Sequence, residues 1–212
     1  TKIQPYDFSE KQVYDYYQIK IYVEHNEKNP FASFVIEDNG IGISKEDVEE
    51  RIINTGIHND IHDDIFKEMP EWLKPTSAFG IGLHSVFAVT DNLFVQTRTR
   101  FDKTVNNINM HSGKKDGYIF MSIAEHQDLR FCNCNHGTRM KFTVNVSNCD
   151  NSEELDLQNS YDPLVERPES DFCRRLQNML KKMLHTSLFH ITYKFNSDKE
   201  IAYNKLYEDG II

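Results

Sequence analysis

Hydrophobic and polar residues alternate along several short segments of this chain, and a period of two residues is typical of β-strands. The first such segments are Tyr17 to Val23 and Phe31 to Glu37, separated by a turn at Glu27 to Pro30. We therefore predict an antiparallel hairpin near the start of the chain. Later segments with a strand pattern cover residues 93–99, 117–123, 138–146, 188–195 and 201–207.

Apolar residues recur every three or four positions in three other segments, which predict helices. The first covers about residues 45–53 and opens on a capping-box pattern, Ser44 followed by Asp47. The second covers residues 83–89. The third begins after Ser170 and is the clearest, with apolar side chains at positions 172, 176, 179, 180, 183 and 184.

The order of these elements favours one class of fold. Two strands are followed by a helix, a long loop, a second helix, three strands, a third helix and further strands. Consecutive strands favour antiparallel pairing, so we predict an α+β fold, a two-layer sandwich with helices on one face of a mostly antiparallel sheet. We interpret residues 1–212 as a single domain, with residues 197–212 as a C-terminal strand extension.

Composition narrows the possible partners. The chain has 212 residues, 39% of them hydrophobic, which is enough for a substantial core. A formal net charge of −9 with only short basic clusters argues against nucleic acid as a partner. No apolar run approaches the ~18 residues that would suggest a membrane span. The expected location is the cytoplasm, where its four cysteines would be reduced.

Two glycine turns precede the first two predicted helices and frame a long connection, residues 57–77. Loops of this length inside a compact domain are usually functional or mobile. The first turn, Asp38 to Gly42, follows a buried strand, and its carboxylate can accept a hydrogen bond from an exocyclic amine. The second turn, Gly80 to Gly82, can approach a phosphate through its backbone. Each turn alone is weak evidence, because such glycine patterns occur in many proteins.

Three motifs together resemble the Bergerat-fold ATPases, the group of gyrase, heat-shock-ninety chaperones, histidine kinases and MutL. Val35 to Ile43 resembles the D-x-G-x-G motif of this family. Phe79 to Phe87 resembles its second glycine motif in the heat-shock-ninety form. His136-Gly137-Thr138 is similar to the G-T that supplies the adenine-site threonine. The resemblance spans about residues 19–195, keeps the order of the family, and is strongest to the heat-shock-ninety branch.

The resemblance implies a domain that binds ATP or ADP with Mg²⁺. In it, Asp38 accepts the adenine amino group, Gly42 and Ile43 line the base, and Thr138 completes the adenine site through water. Residues 57–77 form an ATP lid. The full set of implied nucleotide-binding residues is Asp38, Gly40, Gly42, Ile43, Gly80, Gly82, Leu83 and Thr138, of which Gly80, Gly82 and Leu83 approach the phosphates.

The sequence departs from the family pattern in two places. Ser77 stands where the chaperone motif has its first glycine, which implies a stiffer lid hinge. The family also places an E-x-x-x-N helix before the first hairpin, where the glutamate activates water and the asparagine holds magnesium. Here Glu10 is followed four residues later by Tyr14. We expect a fragment that starts downstream of this helix, and the alternative is a protein that has lost it.

These resemblances leave three functions open. The first is the nucleotide domain of an ATP hydrolase whose hydrolytic glutamate lies upstream of this chain. Such a protein would have a chaperone-like role, with a protein client or a homodimer partner. The second is a regulatory module that binds the nucleotide without turnover. The third is a protein-interaction domain with a degenerate pocket. The fold alone does not decide among them.

Other reactive side chains have plainer interpretations, and no metal-binding residue is predicted. Cys132 to His136 has ligand-type side chains, but the spacing is not that of a usual zinc knuckle, so a loop between strands is favoured. His58 and His62 fit a solvated, charged lid better than a metal site. Trp72 is either a lid anchor in an apolar groove or a contact to a partner protein.

Overall fold

The computed structural model describes residues 16–26, 28–53, 82–112, 116–147, 171–184, 187, 189–196 and 200–202. Within these ranges, eight strands form one mixed sheet in the order β5-β4-β3-β6-β2-β1-β7-β8. The β1–β7 pair is parallel, and the other neighbouring pairs are antiparallel. The strands are β1 (Gln18–Glu24), β2 (Phe31–Asp38), β3 (Asn92–Arg98), β4 (Asn106–His111), β5 (Tyr118–Ile123), β6 (Gly137–Asn145), β7 (His190–Phe195) and β8 (Glu200–Ala202).

Three helical segments accompany the sheet, so the predicted α+β class is confirmed. Helix α1 (Lys45–Asp47) continues as a π-helix, Val48–Ile52. A 3-10 helix covers His84–Ala88, and helix α2 covers Asp171–Leu184. The predicted first and second helices are present at the expected places, but as a short mixed α/π segment and a five-residue 3-10 helix. Segments this short do not need a regular α-helix to satisfy their backbone.

The predicted hairpin is confirmed, and its register follows from the hydrophobic pattern. Ile21 pairs with Ile36 and Val23 with Phe34, so the apolar residues of both strands share one face. Asn29 stabilises the turn, since its side chain accepts the Phe31 N–H at 3.0 Å. The capping box is also confirmed: the Ser44 hydroxyl accepts the Asp47 N–H, and the Asp47 carboxylate accepts the Ser44 N–H, both at 3.0 Å.

The core lies on the sheet face that carries the helices. One cluster joins the first helix to β3 and β4 through Val48, Ile52, Leu93, Val95, Ile108 and Met110. A second cluster joins α2 to β1 and β7 through Cys173, Val23 and Tyr193. Phe34 stacks on Phe142 with ring centroids 5.2 Å apart, and the ring of Phe172 meets Phe34 edge-on. These aromatic contacts connect α2 to the centre of the sheet.

A segment between β5 and β6, residues 124–136, packs away from these clusters. Phe131 is fully buried with Val105 and Ala124 in a separate apolar group. The Arg98 guanidinium, itself buried, donates to the carbonyls of Gln127, Leu129 and Asn135. Backbone carbonyls therefore satisfy a buried charge here, and the segment is fixed to the end of β3.

One strand of the sheet is missing from the prediction. Strand β4 was not predicted, because its sequence, Asn-Asn-Ile-Asn-Met-His, is rich in residues that are rare in strands. Its two apolar residues, Ile108 and Met110, are nevertheless buried. The last described strand covers Glu200–Ala202, and residues 203–207 of the predicted strand lie outside the described residues. Among the helices described, none is long and apolar enough to cross a membrane.

Candidate functional site

The candidate site lies where the ends of three neighbouring strands meet. Asp38, the last residue of β2, pairs with Thr138 of β6. Thr138 in turn pairs with Thr97 of β3. Side chains two positions apart on a strand lie on the same face of the sheet. Asp38 therefore shares a face with Ile36, Thr138 with Met140 and Thr97 with Val95, and this is the face that carries the helices. The sheet register therefore gathers one carboxylate and two hydroxyls at one level.

Asp38 carries the charge of this site. Its Oδ1 accepts the Gly40 N–H at 2.8 Å, which closes a tight turn on the carboxylate. Burial raises the pKa of Asp38 above its ordinary value, and the nearby charge of Glu37 acts in the same direction. Hydrogen bonds from the backbone N–H groups of Gly40 and Thr138 oppose that shift. The Asp38 carboxylate is therefore a poorly solvated acceptor, and it would interact strongly with a hydrogen-bond donor of a ligand.

Two glycines let the turn approach the strands closely. Gly42 has a φ of +77°, and a Cβ there would lie 2.3 Å from the Arg98 carbonyl oxygen. Gly137 has a φ of +138°, and a Cβ there would lie 2.1 Å from the Asp38 carbonyl oxygen. Neither position has room for a side chain. Gly42 and Gly137 are thus required for close packing of the backbone, and Gly42 has the implied ligand role in addition.

Thr97 connects the turn to the strands. Its hydroxyl oxygen accepts the Ile43 N–H at 2.8 Å. The same hydroxyl lies 3.1 Å from the Gly137 carbonyl oxygen and 3.4 Å from the Thr138 hydroxyl. Thr97 is fully buried, and Thr138 is only 6% exposed. A single side chain therefore contacts residues of two of the three sequence motifs.

Two further side chains fix the turn from other directions. Asn39 is 2% exposed, accepts the Gln18 N–H at 2.7 Å, and donates to the Tyr16 carbonyl at 2.8 Å. His136 Nδ1 lies 2.8 Å from the Gly40 carbonyl oxygen. The D-x-G-x-G turn is therefore held by β1, by the segment before β6 and by Thr97.

The second glycine motif is described only from Gly82 onward, and Gly80 lies outside the described residues. Leu83 and Ile43 pack against the same core cluster, which brings the second motif to the side of the first. Gly82 is exposed, and a Cβ there would meet nothing within 4 Å. Its carbonyl accepts the Ser85 hydroxyl at 2.6 Å. The phosphate contacts of Gly80, Gly82 and Leu83 stay a prediction.

The predicted lid, residues 57–77, also lies outside the described residues, as do His58, His62 and Trp72. Within the described ranges, no group of three or more His, Cys, Asp or Glu side chains is arranged to hold a metal ion. Cys132 and Cys134 lie in a tight turn closed by backbone hydrogen bonds between Phe131 and Cys134. Burial, followed by the charge of Glu37, raises the pKa of the Cys132 thiol to about 12, so this thiol is protonated at neutral pH.

Sequence reasoning missed the role of Thr97, although a signal was present. Leu93 and Val95 are buried on the helical face of β3, and Thr97 continues the same alternation. A polar residue in a buried register at the end of a strand needs a hydrogen-bond partner. That pattern indicates a polar contact at this position, but the partner becomes visible only in the folded sheet.

Two concavities on the other face of the sheet contain none of the predicted site residues. One, of about 780 Å³, is lined by residues of β1, β2 and β7 such as Tyr22, Ser33 and Lys194. The other, of about 620 Å³, extends over β3, β4 and β6 and includes Phe94 and Lys141. We therefore place the candidate site where the motifs meet, and not in either of these concavities.

The order and geometry of the motifs agree with comparison to known proteins. Residues 15–138 match the family model of histidine kinase-, DNA gyrase B- and HSP90-like ATPases. The match covers more than half of the chain, from before β1 to Thr138, so the chain belongs to this family.

A chaperone relative supports the heat-shock-ninety branch. The chaperone protein HtpG of Wigglesworthia glossinidia brevipalpis is 26% identical over 142 residues, which amount to 66% of this chain and 21% of HtpG. The chain thus spans about a fifth of the length of that relative.

Proposed function

We propose that this chain is the adenine-nucleotide-binding domain of a heat-shock-ninety-like ATPase. The observation that carries the proposal is the convergence of Asp38, Gly42 and Thr138 at adjacent strand ends, in a chain that belongs to this ATPase family. Strand register and glycine packing bring together residues that are a hundred positions apart. Such a convergence of polar groups is what a small-ligand site requires.

The chemistry of these groups fits an adenine ring. The Asp38 carboxylate has one oxygen bonded to the Gly40 N–H, and a carboxylate can accept further hydrogen bonds. An exocyclic amine is a suitable donor to it. The Thr138 hydroxyl, which can donate or accept, would serve a ring nitrogen or a bridging water. Gly42 and Ile43 would supply the wall of the base-binding site.

Magnesium and hydrolysis depend on groups beyond these residues. The family resemblance implies that Mg²⁺ would be held by the nucleotide phosphates and by an asparagine of the E-x-x-x-N helix, which the family places before the first hairpin. Hydrolysis would need an upstream glutamate as general base, and closure of residues 57–77 would be the conformational step. Mg²⁺, when bound, would neutralise phosphate charge.

We also propose a two-layer architecture, a chaperone-like output and a cytoplasmic location for this protein. The two apolar clusters on one sheet face support a two-layer sandwich. The similarity to HtpG supports a chaperone-like output, with a protein client or a second copy of the full-length protein as partner. The cytoplasm remains the location expected from composition. The alternative of nucleotide binding without turnover would be favoured by ADP binding in a full-length protein that releases no phosphate from ATP.

Calorimetric titration of the chain with ADP and Mg²⁺ tests the nucleotide site. We expect saturable binding of ADP and at least about tenfold weaker binding of GDP, because the guanine carbonyl presents an acceptor to the Asp38 carboxylate. The GDP titration is the matched control for phosphate and ribose binding. Equal affinity for both nucleotides, or no binding of either, would contradict the proposed base site.

ADP affinity is also expected to depend on pH in the acidic range. Binding requires the ionised Asp38, and burial raises the pKa of this carboxyl. As the pH falls, Asp38 becomes protonated earlier than an ordinary aspartate, so ADP affinity should already decline above the ordinary aspartate pKa of about 3.9. Calorimetry from pH 7 downward, with circular dichroism to confirm folding, measures the decline, and a pH-independent affinity down to pH 4 would contradict it.

A further inference from the structure

We propose that Thr97 is a positioning residue of the nucleotide site, which holds the Gly42–Ile43 wall and orients the Thr138 hydroxyl. This inference rests on the proposed function and extends it to a residue outside the three motifs. Thr97 lies on β3, fully buried, between the turn after β2 and the start of β6. No ligand contact is assigned to it, and its effect is exerted through its neighbours.

The hydrogen-bonding capacity of one hydroxyl defines this role. A threonine hydroxyl has one proton to donate and two lone pairs to accept with. The Ile43 N–H, 2.8 Å from Thr97 Oγ1, can only donate. The Gly137 carbonyl oxygen, 3.1 Å away, can only accept. The Thr97 proton is therefore committed to Gly137, and one lone pair is committed to Ile43.

The remaining lone pair of Thr97 faces the Thr138 hydroxyl at 3.4 Å. Because the Thr97 proton is already in use, Thr138 must be the donor in this contact. The Thr138 oxygen then keeps its own lone pairs for a ligand or a water. When a ligand acceptor arrives, the Thr138 proton can rotate toward it, and Thr97 loses only a long, weak hydrogen bond. Thr97 thus makes Thr138 available both as donor and as acceptor.

The contact with Ile43 has a separate consequence for the turn. Gly42 has a positive φ and packs against the Arg98 and Thr99 backbone without space for a Cβ. The Ile43 N–H bond is the polar link that keeps this close approach, since Ile43 follows Gly42 directly. Without the Thr97 hydroxyl, the partly buried Ile43 N–H and the Gly137 carbonyl would each lose this hydrogen bond, at a cost that favours movement of the turn away from β3.

The test compares Thr97→Val, which keeps the branched shape and the strand preference, with Thr97→Ser, which keeps the hydroxyl. Amide hydrogen exchange at Ile43 reports on the bond itself, in the absence of nucleotide. We expect Ile43 protection to fall in the valine variant and to be kept in the serine variant. For ADP with Mg²⁺, the Kd should rise at least about tenfold with valine and less than about threefold with serine. Thr143→Val, on an exposed position of β6, is the matched control.

The outcomes separate this proposal from the proposed function. If the unaltered chain binds no ADP, the proposed function fails, and the positioning role fails with it, whatever exchange shows at Ile43. If the unaltered chain binds ADP, unchanged Ile43 protection in Thr97→Val overturns the hydrogen bond. Lost protection with an unchanged Kd for ADP overturns the positioning role. Equal loss of affinity in Thr97→Ser and Thr97→Val also overturns it, since the hydroxyl would then not be the acting group.

Discussion

Asp38→Asn is expected to weaken ADP binding at least about a hundredfold while the chain stays folded. The asparagine Oδ1 can still accept the Gly40 N–H, which keeps the turn closed. Its amide nitrogen then replaces the second carboxylate oxygen, and a donor faces the donor of the adenine amine. A lost hydrogen bond to a charged group costs about 1.5–3 kcal/mol, and each 1.4 kcal/mol is about tenfold in Kd. The added repulsion places the effect at the upper end.

The same substitution should not lower the free energy of unfolding at neutral pH. Since burial raises the pKa of Asp38, the folded state favours the protonated carboxyl. That contribution to stability is present below the ordinary aspartate pKa and is lost as the pH rises through the folded-state pKa. At pH 7 the ionised Asp38 is therefore a cost to the fold, which the neutral asparagine removes.

Calorimetry and urea unfolding measure the two effects of Asp38→Asn separately. Asp91→Asn is the matched control, because Asp91 is exposed and lies outside the site. It should leave both ADP affinity and stability unchanged within about 0.5 kcal/mol. Undiminished ADP binding by Asp38→Asn would refute the assignment of the adenine site to this carboxylate.

Gly137→Ala should give the largest loss of stability, about 3 kcal/mol or more. Gly137 has a φ of +138°, a region that side chains rarely occupy, and its Cβ would lie 2.1 Å from the Asp38 carbonyl oxygen and 2.9 Å from the Asn39 Cα. These atoms belong to the backbone, so a rotamer change cannot relieve the contact. Strand β6 would have to separate from β2 at the candidate site.

Urea unfolding of Gly137→Ala and Gly82→Ala provides a matched pair. A Cβ on Gly82 meets nothing within 4 Å, and Gly82 has no positive φ, so its replacement should change stability by less than about 0.5 kcal/mol. Because Gly137 adjoins Thr138, its replacement should also reduce ADP affinity in the fraction that folds. Similar stability of the two variants would show that the close approach of β2 and β6 is not required.

Local features of the fold were predictable because their causes are local. The β1–β2 hairpin follows from alternation and a turn sequence, and the capping box follows from Ser44 and Asp47 three positions apart. Strand β4 illustrates the limit of such reasoning. Ile108 and Met110 stand among three asparagines and a histidine in its sequence. The segment is a strand because β3 and β5 pair with it on both sides, and these two side chains are buried because the first helix packs on that face. Tertiary pairing here outweighs intrinsic strand preference.

Some residues of the candidate site were also predictable from local sequence, and others were not. The motifs that contain Asp38 and Thr138 were recognisable as patterns, and the register now places these residues opposite each other. The role of Thr97 depends on three hydrogen-bonding distances to residues 40 or more positions away, which no local pattern encodes. Arg98 is similar, since its partners are carbonyls whose positions depend on the path of residues 127–135.

The parallel pairing of β1 with β7 has a consequence for how the chain folds. Ile21 pairs with Tyr193, so β1 and β7 are neighbours in the sheet although they are far apart in the sequence. Contacts of such long sequence separation slow folding, because the entropy of closing the loop is lost before the contact is made. During synthesis on the ribosome, β1 is an edge strand with exposed backbone groups until β7 emerges. A nascent chain therefore depends on β7 to cover the open edge of β1.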